Sequence, residues 1–159
     1  YKLLGISINN KGLINELKKK EKKIYISLSK GSNLKIKKCF EYFGSKKKLN
    51  LIYTSMSYDP TDLNLKRIID LKKIFKLPVG YGHHFNKKYP LYLSLFYNPS
   101  FYFIYIKYFL KRNRKYPDDD HAFLTKDLNK LYDDIREVKL ILANKKINTK
   151  IKFIEKIKF

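Results

Sequence analysis

Short apolar runs alternate with amphipathic stretches along the whole chain. Residues 2–4 open it as a brief apolar strand, and residues 7–10 form a polar loop in which Asn10 is placed to cap a helix. That helix carries Leu13, Ile14 and Leu17 on one face. Residues 24–28 are β-branched and aromatic, a strand that runs into Ser29-Lys30-Gly31-Ser32. A helix over about 33–43 turns Ile36, Cys39, Phe40 and Phe43 inward, and Gly44 stops it. Residues 49–54 read as the next strand. After the polar loop 55–60, Asp62 is predicted to cap a helix with Leu65, Ile68, Ile69, Ile74 and Phe75 at helical spacing. A fourth strand, 77–80, delivers Tyr81-Gly82-His83-His84.

Residues 89–106 contain no charge for 18 positions, close to the lower limit for a helix crossing a bilayer. Asn98-Pro99-Ser100 interrupts the stretch, because proline disfavours helical geometry in the residue before it. The pattern therefore predicts a short helix over about 91–97, a turn, and a strand over 101–106. Its continuous apolar character is that of a strand buried on both faces of a parallel sheet. A final amphipathic helix carries Leu128, Leu131, Tyr132, Ile135, Val138 and Leu142. Strands and helices alternate strictly, which predicts parallel neighbours in sequence order with helices outside. The strand ends then place Lys2, Ser29, Ser57, His84 and Lys107 on one side. Residues 1–144 form this unit, and 145–159 a Lys-rich tail or linker that alternates weakly through Ile151, Phe153, Ile157 and Phe159.

The chemistry-bearing residues concentrate at two places. His83 and His84 end the fourth strand, and the only other histidine, His121, follows the acidic run Asp118-Asp119-Asp120. Imidazoles at a strand's C-terminal end, with carboxylates one unit later, are how an α/β barrel builds a site. A polar turn with two solvated histidines is the plain alternative.

Charge changes this picture less than its size suggests. Lys+Arg of 36 against Asp+Glu of 14 gives +22, a balance that ordinarily points to nucleic acid or an anionic surface. Nearly all of it is dispersed lysine, and arginine, the better reader of base edges, occurs only at 67, 112, 114 and 136. The single Cys39 excludes an internal disulfide and fits a reducing, cytoplasmic compartment. The chain opens on Tyr1 with no signal-peptide pattern, which reads as a piece of a longer protein.

Six ordered segments carry a resemblance. Tyr1-Lys2-Leu3-Leu4-Gly5, with Asn10 and Leu13-Ile14 after it, is similar to a Tyr-Lys-Ile-x-Ser segment and its Asn-x-x-Leu-Leu continuation. Ile26-Ser27-Leu28-Ser29-Lys30-Gly31 is similar to an Ile-Leu-Ser-Thr-Gly strand end. Residues 54–58, with Asn64-Leu65 beyond, look like Cys-x-Ser-x-Tyr-Pro…Asn-Leu. Pro78-Val79-Gly80-Tyr81-Gly82-His83-His84 resembles Pro-Val-Gly-Tyr-Ser-Asp-His, the most specific of the six. Ile106-Lys107-Tyr108-Phe109 stands where Glu-Lys-His-Phe is expected, and Asp120-His121-Ala122-Phe123 matches Asp-His-Ala-Phe. The pattern is that of the sialic acid synthase family, which makes N-acetylneuraminate, pseudaminate or legionaminate.

The resemblance implies a partial (β/α)8 barrel comprising strands four to eight, without the first three units and without the antifreeze-like domain that covers the partner's site in the family's homodimer. It implies phosphoenolpyruvate and an N-acyl hexosamine as substrates and a divalent metal, manganese or magnesium. Neither nucleic acid nor membrane is expected as a partner. By resemblance Lys2, Ser29, Gly31, Ser57, Tyr58, Asp120 and His121 fall at substrate-binding positions. His84 takes a metal-ligand position, with His83 as the alternative and His121 a third if the acidic loop folds inward. Tyr108 occupies the second ligand position, where a neutral phenol is a poor donor to a divalent ion.

Gly5, Ser7, Gly82-His83 and the missing serine after Phe123 also depart from the family pattern. Such departures imply that this chain by itself is inactive or weakened, either a degenerate synthase or a remnant serving as a scaffold. The alternative from another class is a basic nucleic-acid-binding module, supported by the charge and by 16% aromatic content. It requires aromatics interleaved with lysine on an exposed face, whereas the aromatics here gather in uncharged strands.

Overall fold

The computed structural model describes residues 1–29, 33–108, 116–143 and 156–157. Strands β1 (Lys2–Leu3), β2 (Ile24–Leu28), β3 (Leu49–Thr54), β4 (Val79–Gly82) and β5 (Tyr102–Phe103) form one sheet in that order. Every neighbouring pair is parallel. Helices α1 (Lys11–Lys18), α2 (Asn33–Phe43), α3 (Arg67–Phe75) and α4 (Tyr89–Ser94) make the crossovers, and α5 (Leu128–Ala143) follows the last of them. The result is part of a parallel α/β barrel, as the alternating pattern predicts.

Period-two alternation assigns each strand residue to one of two faces. Leu3, Ile26, Leu51, Tyr81 and Tyr102 point outward into a continuous core with Ile14, Ile36, Ile68, Leu91, Leu131 and Ile135 of the helices. Each of the leucines and isoleucines among them, fully buried, contributes roughly 1.5–3 kcal/mol. Tyr25, Ile52, Phe101 and Phe103, of the opposite parity, form a separate small cluster on the concave face. Gly80 lies across from Ile52 in the register, and the Phe101 ring occupies the space its side chain would need. Lys2 shares this face and reaches across it, its ammonium 4.2 Å from the centre of the Phe103 ring.

Several boundaries differ from the sequence reading. The fourth strand covers Val79–Gly82 rather than 77–80. The strand expected over 101–106 is two strands with Ile104 between them, β5 and β6 (Tyr105–Lys107). Pairing with β4 ends where His83 N–H donates to Phe103 O at 2.9 Å. Beyond that point β6 is flanked by other segments, β7 (Phe123–Leu124) and β8 (Lys156–Ile157), both parallel to it. So two residues of the Lys-rich tail join a sheet, and the rest of 145–159 lies outside the described residues.

The helix expected after Asp62 starts instead at Arg67. Asp59 is the capping residue here, accepting from Thr61 N–H at 2.8 Å, and with Pro60 it nucleates only a 3-10 turn, Pro60–Asp62. Asn64 N–H then donates to Tyr53 Oη at 2.8 Å, which holds the chain out of helical geometry for another turn. Leu71, rather than Ile74, supplies the middle of the buried face of α3, and Tyr132 and Leu142 of α5 are largely exposed.

The uncharged stretch 89–106 breaks as expected. Asn98, before Pro99, adopts the left-handed region at φ 46° and ends the turn that extends α4. Among the described residues no helix is long and apolar enough to cross a membrane.

Asn10 caps α1, its side-chain oxygen accepting from Leu13 N–H at 3.0 Å. Asn10→Ala is expected to cost about 1 kcal/mol of unfolding free energy in urea titration. An unchanged midpoint would show that the cap does not hold α1 in place.

Candidate functional site

One rim of the sheet brings two of the three histidines, His84 and His121, together from distant parts of the chain. After Gly82 the main chain continues extended, so adjacent residues diverge. His83 turns outward, its ring centre 6.0 Å from Tyr81 and 5.3 Å from Phe123. His84 turns to the concave side, with its ring 4.5 Å from His121 and 4.9 Å from Tyr105. Tyr105 also meets His121 edge-on at 5.0 Å, so one phenol ring braces both imidazoles.

The acidic turn is folded against this pair. Lys107 Nζ donates to Asp119 O at 2.7 Å, and Tyr116 N–H donates to the Asp119 carboxylate at 2.9 Å. Asp118 has a left-handed backbone, φ 74°. Its carboxylate stands 3.4 Å from His121 Nε2, while His121 Nδ1 lies 3.1 Å from Tyr58 Oη. One ligand atom from each of His84, Asp118 and His121 lies within 4.8 Å of the others.

Burial sets the protonation of these groups. His84 is 7% exposed and is pushed down to about 4, first by burial and then by the charges of His121 and Lys2, against a smaller upward pull from Asp118. His83, 1% exposed, is lowered to about 3 by burial and by the two other imidazoles. Both are therefore neutral at pH 7, the form in which imidazole donates a lone pair to a metal. Burial, with Asp118 adding to it, raises Tyr105 to about 12, so its hydroxyl stays protonated.

Two imidazoles, His84 and His121, with the Asp118 carboxylate are a donor set for a divalent cation of the first transition row. Ligands about 2.1 Å from a tetrahedral ion stand roughly 3.4 Å apart, which is the Asp118–His121 separation. The residues present fit a cation. Without one, the same contacts serve as a histidine–aspartate ion pair inside an aromatic cluster.

The remaining expected positions are distributed around this centre. Lys2 Nζ donates to Tyr105 Oη at 3.3 Å, which ties β1 to the histidine cluster. Ser57 sits in the loop after β3, where its Oγ accepts from Asp59 N–H at 3.0 Å. Ser29 is exposed and lines a separate cleft of about 220 Å³ with Tyr53, Asn64 and Arg67. Arg67 is anchored there by donating to Asn33 Oδ1. Gly31 lies outside the described residues. Asp120 is exposed, and the acid that faces the histidines is Asp118. Tyr108, just beyond β6, is 70% exposed. Gly5 packs on β2, where a Cβ would come 2.9 Å from Ser27 O, so the serine expected there has no room without a shift.

The acidic run 118–120 is marked by the sequence, but within it Asp120 rather than Asp118 is assigned to the site, and neither Tyr105 nor Arg67 is given a role. Tyr105 carries a readable signal, since it shares the parity of Phe101 and Phe103. Nothing selects Asp118 within the run, because its approach depends on a left-handed turn pinned by Lys107.

The NeuB family profile matches residues 1–147. No curated protein matches the chain. Among solved structures, the N-acetylneuraminic acid (sialic acid) synthetase of Leptospira borgpetersenii, determined with citrate, superposes with a TM-score of 0.77 at 22% identity. That alignment covers 94% of this chain and 53% of the synthetase. A spore coat polysaccharide biosynthesis protein of Bacillus subtilis gives 0.75 at 15% identity, over 90% of this chain and 41% of the other. The chain thus spans about half the length, or less, of these two structures.

Proposed function

Because this chain belongs to the NeuB family, we propose that it carries a sialic acid synthase-like site that binds phosphoenolpyruvate and an N-acyl hexosamine for condensation to a nonulosonic acid. The observation that carries this reading is the convergence of Lys2, Tyr58, His84 and His121 at the C-terminal rim of a parallel sheet. In a barrel that rim is where reacting groups are assembled.

The reaction joins C3 of phosphoenolpyruvate to the aldehyde carbon of the open-chain sugar, water adds at C2, and phosphate leaves. The Lys2 ammonium, held against the Phe103 ring and the Tyr105 hydroxyl, presents positive charge to the enol-phosphate's carboxylate or phosphate. Ser29 and Arg67 line a separate cleft that also holds Asp62, so Arg67 is the one cation among the described residues there that could meet an anionic oxygen. By resemblance Ser57, Tyr58 and Asp120 are assigned to the sugar; Tyr58 Oη lies 3.1 Å from His121 Nδ1, whereas Asp120 is exposed. Packing against Tyr105 and His121 leaves His84 buried, a setting that limits water at that side chain. A divalent cation near His84, when bound, supplies Lewis-acid polarisation of the aldehyde oxygen.

Gly5, Ser7 and the exposed Tyr108 favour a second reading, in which binding persists while turnover is slow or lost. Each missing transition-state donor costs roughly 2.7–4 kcal/mol. Calorimetric titration with phosphoenolpyruvate in the presence of manganese is expected to show binding that Lys2→Met weakens at least tenfold. Phosphate release with N-acetylmannosamine then separates an active synthase from a binding remnant. Absence of both binding and release would overturn the assignment.

A further inference from the structure

Two of the groups that surround His84 come from the segment between β6 and β7, and their arrangement is specific. We propose that the cation is held by a ring nitrogen of His84, Nε2 of His121 and the carboxylate of Asp118, with Tyr58 as the residue that positions His121. This rests on the proposed function only for the expectation that a divalent cation is used; the ligand set comes from the geometry.

The argument begins with the two sides of the His121 ring. A neutral imidazole has one N–H and one lone pair. When Nδ1–H donates to Tyr58 Oη, at 3.1 Å, the lone pair on Nε2 faces the Asp118 carboxylate 3.4 Å away. A lone pair and a carboxylate oxygen at that distance repel unless a positive charge lies between them. A cation there satisfies both, and it lies within reach of His84, whose ligand atom is within 4.8 Å of both partners. Metal-bound histidines commonly donate their other ring N–H to an acceptor that fixes tautomer and orientation. Tyr58 is placed to be that acceptor.

The rings are also held before any ion arrives. Tyr105 packs edge-on against both His84 and His121, and His121 itself is buried. The turn that presents Asp118 is fastened by Lys107 to Asp119 O. Ligands on supports of this kind lose little freedom when they bind. Tyr108, at 70% exposure, is in no comparable setting. With two nitrogens and one carboxylate, the site suits manganese, cobalt or zinc better than magnesium, which takes oxygen donors and keeps its waters.

The test is manganese binding to the full chain after chelator treatment, followed by electron paramagnetic resonance. One ion per chain is expected, with pulsed spectra resolving nitrogens from two imidazoles, and with zinc displacing it more readily than magnesium. His121→Ala should leave one coupled imidazole and weaken binding at least tenfold. Tyr58→Phe should keep both nitrogens but weaken binding by about tenfold, as loss of a supporting hydrogen bond does. Tyr108→Phe should change affinity less than twofold. One imidazole nitrogen in the unaltered chain, or no manganese binding at all, would overturn the proposal, and both results are independent of whether the alanine variant folds. So would a Tyr108→Phe loss as large as that of His121→Ala. A chain that binds manganese through both histidines yet fails to bind phosphoenolpyruvate keeps this site and overturns the synthase reading instead.

Discussion

Lowering the pH of the metal-free chain from 7 to about 4.5 is expected to unfold it, with uptake of about two protons on His83 and His84. Both side chains are buried among aromatic rings. Folding depresses His83 to about 3 and His84 to about 4, whereas both titrate near 6.5 when unfolded. Below that value the unfolded chain binds more protons than the folded one, so stability falls as pH falls. The loss begins near 6.5 and continues to the folded values. Each proton is worth about 1.4 kcal/mol per pH unit, so two histidines over two units remove on the order of 5 kcal/mol. A domain of this kind has roughly 5–15 kcal/mol in total. Carboxylates held low in the fold, such as Glu16 beside Lys19 and Asp59 beside Thr61, lose their contribution only at more acid pH. Circular dichroism against pH in the presence of a chelator reads the transition. His83→Leu removes one of the two protons and should move the midpoint to lower pH. A midpoint that the substitution leaves in place would assign the acid transition to other groups.

Gly80→Ala is expected to destabilise the fold by about 1–3 kcal/mol, although alanine is a small residue and the strand geometry tolerates it. A Cβ at Gly80 would lie 2.3 Å from the Phe101 ring, inside any possible contact distance. Phe101 cannot simply swing away. It is 7% exposed, packs edge-on against Tyr25 at 5.1 Å, and lies in the concave cluster with Ile52 and Phe103. Overpacking of this kind forces side chains off their rotamers or moves the backbone. The strain acts between β4 and β5, two strands upstream and downstream of the histidine rim. Phe101→Leu in the same chain should recover part of the loss, and a double-mutant cycle in urea measures the coupling. Strictly additive effects would show that the ring is not what limits residue 80.

The sequence by itself determined what depends on neighbours along the chain. Strict alternation of apolar runs and amphipathic stretches dictated parallel strands with helical crossovers, and the structure has them in sequence order. Asn10 as a cap, Gly44 as a stop at φ 71° and Asn98-Pro99 as a break are one-turn effects, legible from residue type. The Pro-Val-Gly-Tyr-Gly-His-His run marked the rim. Which of His83 and His84 faces the site is left open by the sequence, and the structure turns only His84 toward His121.

Tertiary structure alone decided which partners those residues meet. Nothing in the spacing of His84 and His121, 37 positions apart, sets their rings 4.5 Å from each other. That distance comes from the parallel pairing of β6 with β7 and from Tyr105, which packs edge-on against both rings. Asp118 rather than Asp120 faces the imidazoles because a left-handed residue and the Lys107 bond turn the loop inward. Likewise β5 and β6 part at Ile104 because different strands compete for their edges, a contest no local pattern records. Local propensity acts over one helical turn or one strand residue, whereas a site is built from contacts whose register only the assembled sheet can fix.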